Sequence, residues 1–319
     1  MAEHAPVPVG VVGTGALGRH HVRLLAQLPG ADLRGVHDLR PEVAAEVAAQ
    51  HGVPVHSTWE ELAAKVEAMV LAVPTVEHSR LGCELLRRGL HVLVEKPIAG
   101  TLAEARALLE AAGDRTLAVG HVEFYNPAVE ALLALDERPG FVEVERLSPF
   151  TRRSLDVDVV LDLMIHDLQI LHALDPSPLE EVRAVGISVL SNRVDLANAR
   201  LEFASGCVAN LSASRVSAEP SRQLRVFFPD SYYSLDYREQ EIKGYRLTGD
   251  GPGRTVEPAR IDVARQEPLE RELERFLAAC RGEPVRWVTG DEGTRALETA
   301  VRVLEAIERG REKAGEASR

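Results

Sequence analysis

Short apolar, β-branched runs alternate with amphipathic segments through the first third of the chain. The runs have the length and residue types of buried strands, and the segments between them have helical period and end at Gly or Pro. Repeated strand–helix units of this kind predict a parallel sheet with helices on both faces. The strand-like runs are PVGVVG, ADLRGVHD, AMVLAVP, HVLVEKP and TLAVGH, and the predicted helices are GRHHVRLLAQLP, RPEVAAEVAAQHG, RLGCELLRRG and TLAEARALLEAAG.

The pattern changes near residue 121. A long helical run, DVVLDLMIHDLQILHAL, is followed by five segments in which apolar and polar positions alternate, and breaks at Ser205-Gly206 and Pro229-Asp230 predict hairpins. The five predicted strands are ANARLEFASG, CVANLSASRV, QLRVFFPD, SYYSLDYRE and IKGYRLTG. The predicted fold class is therefore α/β, with a doubly wound parallel sheet in residues 1–120 and an α+β domain with an open, mostly antiparallel sheet in residues 121–319. We expect the last helices to pack back on the first domain, and the open sheet to be an oligomer interface.

Composition narrows the class of protein. Of the 319 residues, 45% are hydrophobic and 27% are charged, which is typical of a globular protein, and the net charge of −12 argues against a nucleic-acid surface. The N-terminal stretch MAEHAPVPVGVVG predicts neither a signal peptide nor a membrane segment. The three cysteines lie far apart without metal-ligand spacing, so we expect buried thiols in a reducing cytoplasm and no metal site.

A glycine-rich stretch follows the first strand and opens the first helix. In the GxGxxG pattern the first glycine permits a tight turn, the second lets the backbone approach a pyrophosphate, and the third lets helix and strand pack closely. The pattern predicts a dinucleotide site, although such a stretch can also be a plain strand-to-helix turn. Its residues are Gly13, Thr14, Gly15, Ala16, Leu17 and Gly18.

Asp38 ends the second strand, 20 positions after Gly18. An acid here accepts hydrogen bonds from the adenosine ribose hydroxyls and repels a 2′-phosphate, so the sequence favours NAD over NADP. Arg40 lies close enough in sequence to make NADP possible. The other interpretation of Asp38 is an N-cap for the helix that follows.

The fourth strand ends in Glu95-Lys96-Pro97, three residues poorly suited to continue it. Because ligands bind beyond the carboxyl ends of parallel strands, the charged pair is expected to face a cofactor cleft, with Pro97 stopping the strand. A solvated surface ion pair is the alternative.

Asp162, His166 and Gln169 form a polar stripe on an otherwise apolar helix. A buried helix must satisfy such a stripe, and a polar ligand would do so. For an unplaced helix, a core histidine paired with Asp162 is the favoured explanation of the pattern.

Together these stretches resemble the Gfo/Idh/MocA family of NAD(P)-dependent oxidoreductases, which combine an N-terminal Rossmann domain with an open-sheet α/β domain. The resemblance is densest between residues 9 and 174 and extends through the alternating pattern of the second half. The matching stretches are GVVGTGALGRHH, VPTVEHSRLGCELLRRGLHVLVEKPIAGTLAEARALLEAA, VGHVEFYNPAV and VVLDLMIHDLQIL.

The resemblance implies a catalytic set of Lys96, Asp162 and His166. In oxidation of a secondary alcohol, His166 is the natural base, Asp162 orients it or touches a neighbouring hydroxyl, and Lys96 stabilises the developing negative charge. Whether Lys96 or His166 is the base stays open. The resemblance also implies cofactor contacts from Pro74, Thr75 and His78, and the strand-end pair Glu95 and Lys96 is expected to face the same cofactor. His121, Tyr125 and Asn126 are expected to line the substrate side. Arg152 and Arg153 are the nearest basic pair in sequence, and a phosphate-bearing substrate would bind to such a pair.

Several of these implied residues have simpler explanations. His78 can be a helix-start residue, Asn126 before Pro127 can belong to a turn, and the arginine pair can be solvated.

The stretches GHVEFYNPAV and RRSLDVDVVLDLMIHD resemble the branch that oxidises the 3-hydroxyl of UDP-N-acetylglucosamine-type sugars. The expected partner is therefore a sugar or nucleotide-sugar, in a homodimer or homotetramer formed through the C-terminal sheet. An inositol or free-sugar dehydrogenase and a non-catalytic NAD-binding sensor are the alternatives.

Overall fold

A computed structural model describes residues 5–150 and 157–317 of the chain. Contacts within it divide the chain into two compact units. The first unit comprises residues 1–122 and 267–294, and the second comprises residues 123–266 and 295–319. The first boundary falls close to the predicted one, but residues 267–294 belong to the first unit, which the sequence treated only as helices packing back.

The first unit is built on a parallel sheet, which among the described residues has five strands in the order β2-β1-β3-β4-β5. Apart from β2, its strands are almost entirely buried, as expected for a sheet covered on both faces. The strands are β1 (Val7–Val12), β2 (Ala31–His37), β3 (Ala68–Leu71), β4 (His91–Glu95) and β5 (Leu117–Gly120).

Helices connect these strands in the alternating pattern that the sequence predicts. They are α1 (Gly18–Leu25), α2 (Pro41–His51), the short α3 (Trp59–Ala63), α4 (Thr75–Arg87) and α5 (Leu102–Ala112). The capping chemistry is local: Thr101, the N-cap of α5, accepts a hydrogen bond from the Glu104 backbone N–H. Only α3 was absent from the prediction.

The returning segment completes the core of the first unit. Helix α8 (Pro268–Cys280) places Leu273 and Phe276 in the same apolar cluster as Val9 and Val36. After it, Val288 O accepts a hydrogen bond from Val119 N at 3.0 Å, so the chain pairs with the outer edge of β5.

The second unit contains a larger sheet, with eight strands among the described residues in the order β13-β12-β11-β10-β6-β9-β8-β7. Every pair is antiparallel except β6 with β9. The strands are β6 (Phe141–Leu147), β7 (Leu179–Ile187), β8 (Leu196–Phe203), β9 (Val208–Ser214), β10 (Ser221–Phe227), β11 (Ser231–Asp236), β12 (Glu241–Thr248) and β13 (Thr255–Arg260).

Regular alternation of buried and exposed positions gives this sheet one core face and one open face. The core face packs with α6 (Pro127–Leu133), α7 (Ile165–Leu174) and the second part of α9 (Gly290–Ala317). The sequence analysis missed β6, β7 and β13. Polar and charged residues are frequent in all three, and β6 is the strand that pairs in parallel, so no hairpin signal marks it.

An aromatic row crosses the open face in strand register. Tyr245, Tyr232, Phe227 and Phe141 lie side by side on β12, β11, β10 and β6. The ring centroids of Phe227 lie 5.6 Å from those of Phe141 and 4.8 Å from those of Tyr232. Phe227 and Tyr245 remain 36% and 53% exposed.

None of the helices in the described ranges combines the length and apolarity that a membrane span requires.

Candidate active site

The glycine turn after β1 has the geometry of a dinucleotide cradle. Gly13 has a φ of +87°, and a Cβ there would lie 2.4 Å from Ala72 O. A Cβ on Gly18 would lie 1.8 Å from Gly13 O, so both positions admit only glycine. At Gly15 the nearest atom to a Cβ is Arg40 Nη2 at 3.6 Å. The middle glycine therefore borders open space, where a ligand can approach the backbone.

Asp38 is bonded to this turn. Its Oδ2 accepts hydrogen bonds from Thr14 N at 2.8 Å and Thr14 Oγ1 at 3.2 Å, while Oδ1 accepts one from Arg40 N at 2.9 Å. Burial raises the pKa of Asp38, but the bonds from Arg40 and Thr14 outweigh it and hold the pKa below its usual value. The N-cap of α2 is Arg40, so the N-cap interpretation of Asp38 is wrong. Its carboxylate instead bonds the backbone two residues on.

A cleft of about 640 Å³ opens beside the turn and Asp38. Its volume lies in the range of about 300–1,000 Å³ that is usual for ligand clefts, and its walls are largely apolar. Ala16, Leu17 and Pro74, all expected cofactor contacts, line it together with Gly13, Gly15 and Asp38. In the described residues, Thr75 and His78 are not part of its wall, and Thr75 is the first residue of α4.

His78 instead joins two loops. Its Nδ1 lies 3.0 Å from Pro97 O and its Nε2 lies 3.0 Å from Val73 O. Whichever of the two nitrogens carries the proton donates the hydrogen bond to its carbonyl. Burial lowers the pKa of His78, and the bonds to the two carbonyls only partly offset this effect. The ring thus holds the Pro74 loop against the segment that follows β4.

The end of β4 is held by its own side chain. Glu95 is buried, its Oε1 lies 2.7 Å from His21 Nε2, and its Oε2 accepts the Lys96 backbone N–H at 3.3 Å. The Lys96–Pro97 peptide bond is cis. Glu95 is therefore not a solvated surface partner, and Lys96 is partly buried.

His121, at the end of β5, is fully buried. Burial, together with the positive charge of Lys96, lowers the pKa of His121 to about 3. The imidazole is therefore neutral at physiological pH, so it can orient a neighbour but cannot supply a positive charge.

Tyr125 and Asn126 lie at the start of the second unit. Asn126 is the N-cap of α6, where its Oδ1 accepts from Ala128 N at 3.1 Å and its Nδ2 donates to Tyr237 O at 2.8 Å. Tyr125 is 1% exposed. The turn interpretation therefore accounts for the Asn126 amide, and a substrate role for either residue stays a prediction.

Asp162 lies in a π-helical turn, Val160–Met164, that runs directly into α7. The sequence predicts ordinary helix here, but one extra residue is accommodated in this turn, a feature often found at functional sites. His166, in the first turn of α7, is 9% exposed, and Gln169 is 1% exposed. The polar stripe is thus present on an otherwise buried helix.

A buried charge network next to His166 was missed by the sequence analysis. Arg146 on β6 is fully buried and donates from Nε and Nη2 to the two Asp167 oxygens, each at 2.7 Å. Its Nη1 donates to Glu123 Oε1 at 2.7 Å, and Tyr237 OH donates to Asp167 Oδ1 at 3.2 Å. The bidentate bond between Arg146 and Asp167 fixes the register of α7. In the sequence, this network was indicated only by an arginine in the missed strand β6 and by an aspartate directly after His166.

The structure thus places six of the expected cofactor residues around one cleft of the first unit: Gly13, Gly15, Ala16, Leu17, Asp38 and Pro74. Thr75, His78 and Glu95 are not part of its wall, and Lys96 and His121 follow neighbouring strand ends. Asp162 and His166 lie on one continuous helical segment of the second unit. Arg152 and Arg153 lie outside the described residues.

Comparison with known proteins gives a consistent result. The family model GFO/IDH/MocA, described as an oxidoreductase family with an NAD-binding Rossmann fold, matches residues 7–122, and the model of its C-terminal domain matches residues 95–231. The chain is 38% identical over 304 residues to UDP-N-acetylglucosamine 3-dehydrogenase of Acidithiobacillus ferrooxidans, covering 94% of this chain and 96% of that protein.

One solved structure and one further relative are also dehydrogenases. A solved structure of UDP-N-acetylglucosamine 3-dehydrogenase from Acidithiobacillus ferrooxidans matches with a TM-score of 0.89 and 37% identity, covering 96% of this chain and 99% of that one. Inositol 2-dehydrogenase of Rubrobacter xylanophilus is 31% identical over 231 residues, covering 66% of this chain and 65% of that protein.

Proposed function

Because this chain belongs to the Gfo/Idh/MocA family of oxidoreductases, we propose that it is a dehydrogenase for the 3-hydroxyl of a UDP-N-acetylhexosamine. The observation that carries the proposal is the 38% identity to the Acidithiobacillus ferrooxidans enzyme across 94% of the chain. Such similarity over both units makes a shared substrate class the simplest explanation, whereas the fold alone would support many sugars.

The cofactor is NAD in this proposal, and it supplies the hydride acceptor when bound. The backbone around Gly15 and the start of α1 bind the pyrophosphate, since no side chain of α1 caps its N-terminal N–H groups. Asp38 accepts the ribose hydroxyls and repels a 2′-phosphate. Arg40, with its side chain 62% exposed beside Asp38, keeps NADP possible.

Lys96, Asp162 and His166 carry the chemistry in this proposal. His166 takes the hydroxyl proton as the carbon–hydrogen bond breaks, because an imidazole titrates near the working pH. Asp162 orients the ring or binds a neighbouring hydroxyl, and Lys96 stabilises negative charge on the reacting oxygen. His121, held neutral, and Glu95, bonded to the Lys96 N–H, position the lysine.

An inositol or free-sugar dehydrogenase is the second candidate. Its support is the 31% identity to an inositol 2-dehydrogenase, which covers two thirds of the chain. A non-catalytic NAD sensor would use the cleft alone and would have no need of Lys96, Asp162 and His166.

Self-association and location complete the proposal. The aromatic row Phe141, Phe227, Tyr232 and Tyr245 on the open face supports a homodimer or homotetramer. Free thiols at Cys83, Cys207 and Cys280 support a reducing, cytoplasmic location.

The deciding experiment incubates purified protein with NAD and UDP-N-acetylhexosamines, free sugars or inositols, and follows reduced nicotinamide by absorbance. A parallel series contains 2-oxoglutarate, which would recycle a cofactor that stays bound. We expect turnover with the UDP-sugars and a loss of about 10²–10⁴-fold in kcat for Lys96→Ala. Lys65→Ala, which removes an exposed lysine, is the matched control.

Two results would overturn the proposal. Turnover confined to the free polyols would identify the second candidate. Tight NAD binding without turnover of any alcohol, in either series, would identify the sensor.

A further inference from the structure

Three ionisable side chains from distant parts of the sequence meet inside the first unit. They are His21 on α1, Glu95 at the end of β4 and Glu272 on α8. Their spacing carries no recognisable ligand pattern, which is why the sequence predicts no metal site. The proposed dehydrogenase chemistry uses neither His21 nor Glu272.

The cluster is enclosed by protein. His21 is 0% exposed, Glu272 is 1% exposed and Glu95 is 8% exposed. One ring nitrogen of His21 and one oxygen from each carboxyl group lie within 4.8 Å of one another. Ligand atoms that share one ion at bond lengths of about 2.0–2.2 Å lie within about 4.4 Å of one another, so small side-chain shifts would bring these three atoms to ligand spacing.

Glu272 is the unexplained member. Neither of its carboxyl oxygens has a hydrogen-bond partner among the residues that the structure describes. A buried polar group without a partner costs about 1–3 kcal/mol, and more if it is charged. A proton or a cation must therefore compensate for the charge of this carboxyl group, one oxygen of which lies in the cluster.

The two groups that could compensate the charge of Glu272, a proton and a divalent cation, differ in how much charge they neutralise. Burial and the repulsion of Glu95 raise the pKa of Glu272 well above its usual value. A proton on Glu272 would remove one of the two charges, and the resulting O–H could donate to Glu95. A divalent cation would neutralise both carboxylates and bind all three ligand atoms at once, replacing the proton now shared by His21 Nε2 and Glu95 Oε1.

We propose that His21, Glu95 and Glu272 bind a divalent transition-metal ion of the Zn²⁺ type. One imidazole nitrogen and two carboxylate oxygens suit Zn²⁺, Mn²⁺ or Fe²⁺, whereas Ca²⁺ and Mg²⁺ take oxygen ligands. The ion has a structural role, because it fixes α1, the end of β4 and α8 to one another. The second oxygen of Glu95 stays on the Lys96 N–H, so the ion also holds the segment that carries Lys96.

The test measures metal binding rather than turnover, so it is independent of the proposed substrate. Full-length protein without a histidine tag is stripped with a chelator and loaded with Zn²⁺. The metal content and a competition titration against a chromophoric chelator then give stoichiometry and affinity. We expect one equivalent of Zn²⁺ per chain and a higher thermal midpoint with the ion than without it.

Glu272→Gln keeps the size of the side chain and removes one charged ligand, and we expect it to bind Zn²⁺ about 100-fold more weakly or worse. Glu274→Gln makes the same change at an exposed position of the same helix and should bind like the wild type. Equal affinity of the wild type and Glu272→Gln, or equal losses in the two variants, would overturn the proposal.

X-ray absorption at the zinc edge of the wild type keeps the proposal testable if Glu272→Gln does not fold. We expect nitrogen and oxygen scatterers at about 2.0–2.2 Å and no sulfur. A sulfur shell, or a stripped protein that takes up no Zn²⁺, would show that a proton compensates Glu272 instead.

Discussion

At the scale of single residues, the sequence predicted the glycine turn and Asp38 because their chemistry is local. Gly13 and Gly18 are required by backbone approaches that any such turn makes. The bond from Thr14 to Asp38 and the cluster around Glu272 were not predictable, because they join segments that lie tens to hundreds of positions apart. The spacing of residues in the sequence does not reveal contacts between segments this far apart.

Asp38→Ala should shift cofactor preference towards NADP. The change removes the carboxylate that repels a 2′-phosphate and leaves Arg40 available to bind it, so the ratio of the NADP to the NAD dissociation constant should fall by about tenfold or more. Fluorescence titration of both cofactors checks this. Asp32→Ala, on the strand that directly precedes Asp38, is the control. An unchanged ratio would show that Asp38 serves the turn alone.

His172 should make stability depend on pH. Burial, together with the charge of Arg295, lowers its pKa from 6.5 to about 4. The unfolded chain therefore takes up the proton first, and the folded state loses stability as the pH falls from 6.5 to 4, by up to about 1.4 kcal/mol per pH unit.

The comparison with His172→Gln isolates this effect, since glutamine can still bond Thr299, whose Oγ1 lies 2.7 Å from His172 Nε2. Denaturant unfolding of both proteins between pH 4 and pH 8 gives the difference in stability. It should be constant above pH 6.5 and shift in favour of the variant below it. A difference that does not vary with pH would contradict the prediction.

At the scale of elements, periodicity predicted the parallel sheet, its main connecting helices and five of the strands in the second unit. It missed β6, which pairs in parallel with a strand far along the chain. That omission also concealed Arg146, whose side chain bonds the helix that carries His166. The π-helical turn at Asp162 was hidden for a different reason: this helix is apolar almost all round, so the phase shift from an inserted residue does not show in the pattern.

Arg146→Leu should destabilise the second unit by about 3–5 kcal/mol, because Asp167 and Glu123 would be left buried without Arg146. Arg225→Leu provides the matched control. Arg225 pairs with Glu143 at 3.1 Å on the open face, where such a pair contributes about 1 kcal/mol or less. Urea unfolding of the two variants measures the contrast, and equal losses would contradict it.

At the scale of the whole molecule, the sequence predicted that the second sheet has an open face, but not which side chains lie together on it. Alternation showed that one face of the sheet is exposed. It could not show that four aromatic side chains line up across neighbouring strands, because register depends on hairpin geometry and on the parallel pair.

The double variant Phe227→Glu/Tyr245→Glu should weaken self-association by about tenfold or more, since it replaces central aromatic contacts with like charges across a two-fold axis. Size-exclusion chromatography with light scattering at several concentrations measures the mass. Val76→Glu, which alters an exposed valine of the first unit, should leave it unchanged. A double variant with the wild-type mass would exclude this face as the interface.

The first unit is formed by two separate segments of the chain, and this has a consequence for its synthesis on the ribosome. Leu273 and Phe276 belong to the same core as Val9, yet they are translated roughly 265 residues later. Until then, the nascent sheet exposes the apolar surface that α8 covers. Co-translational folding of this unit must therefore wait for the second unit to emerge, and a gene fragment ending near residue 122 would encode a sheet with an uncovered, aggregation-prone flank.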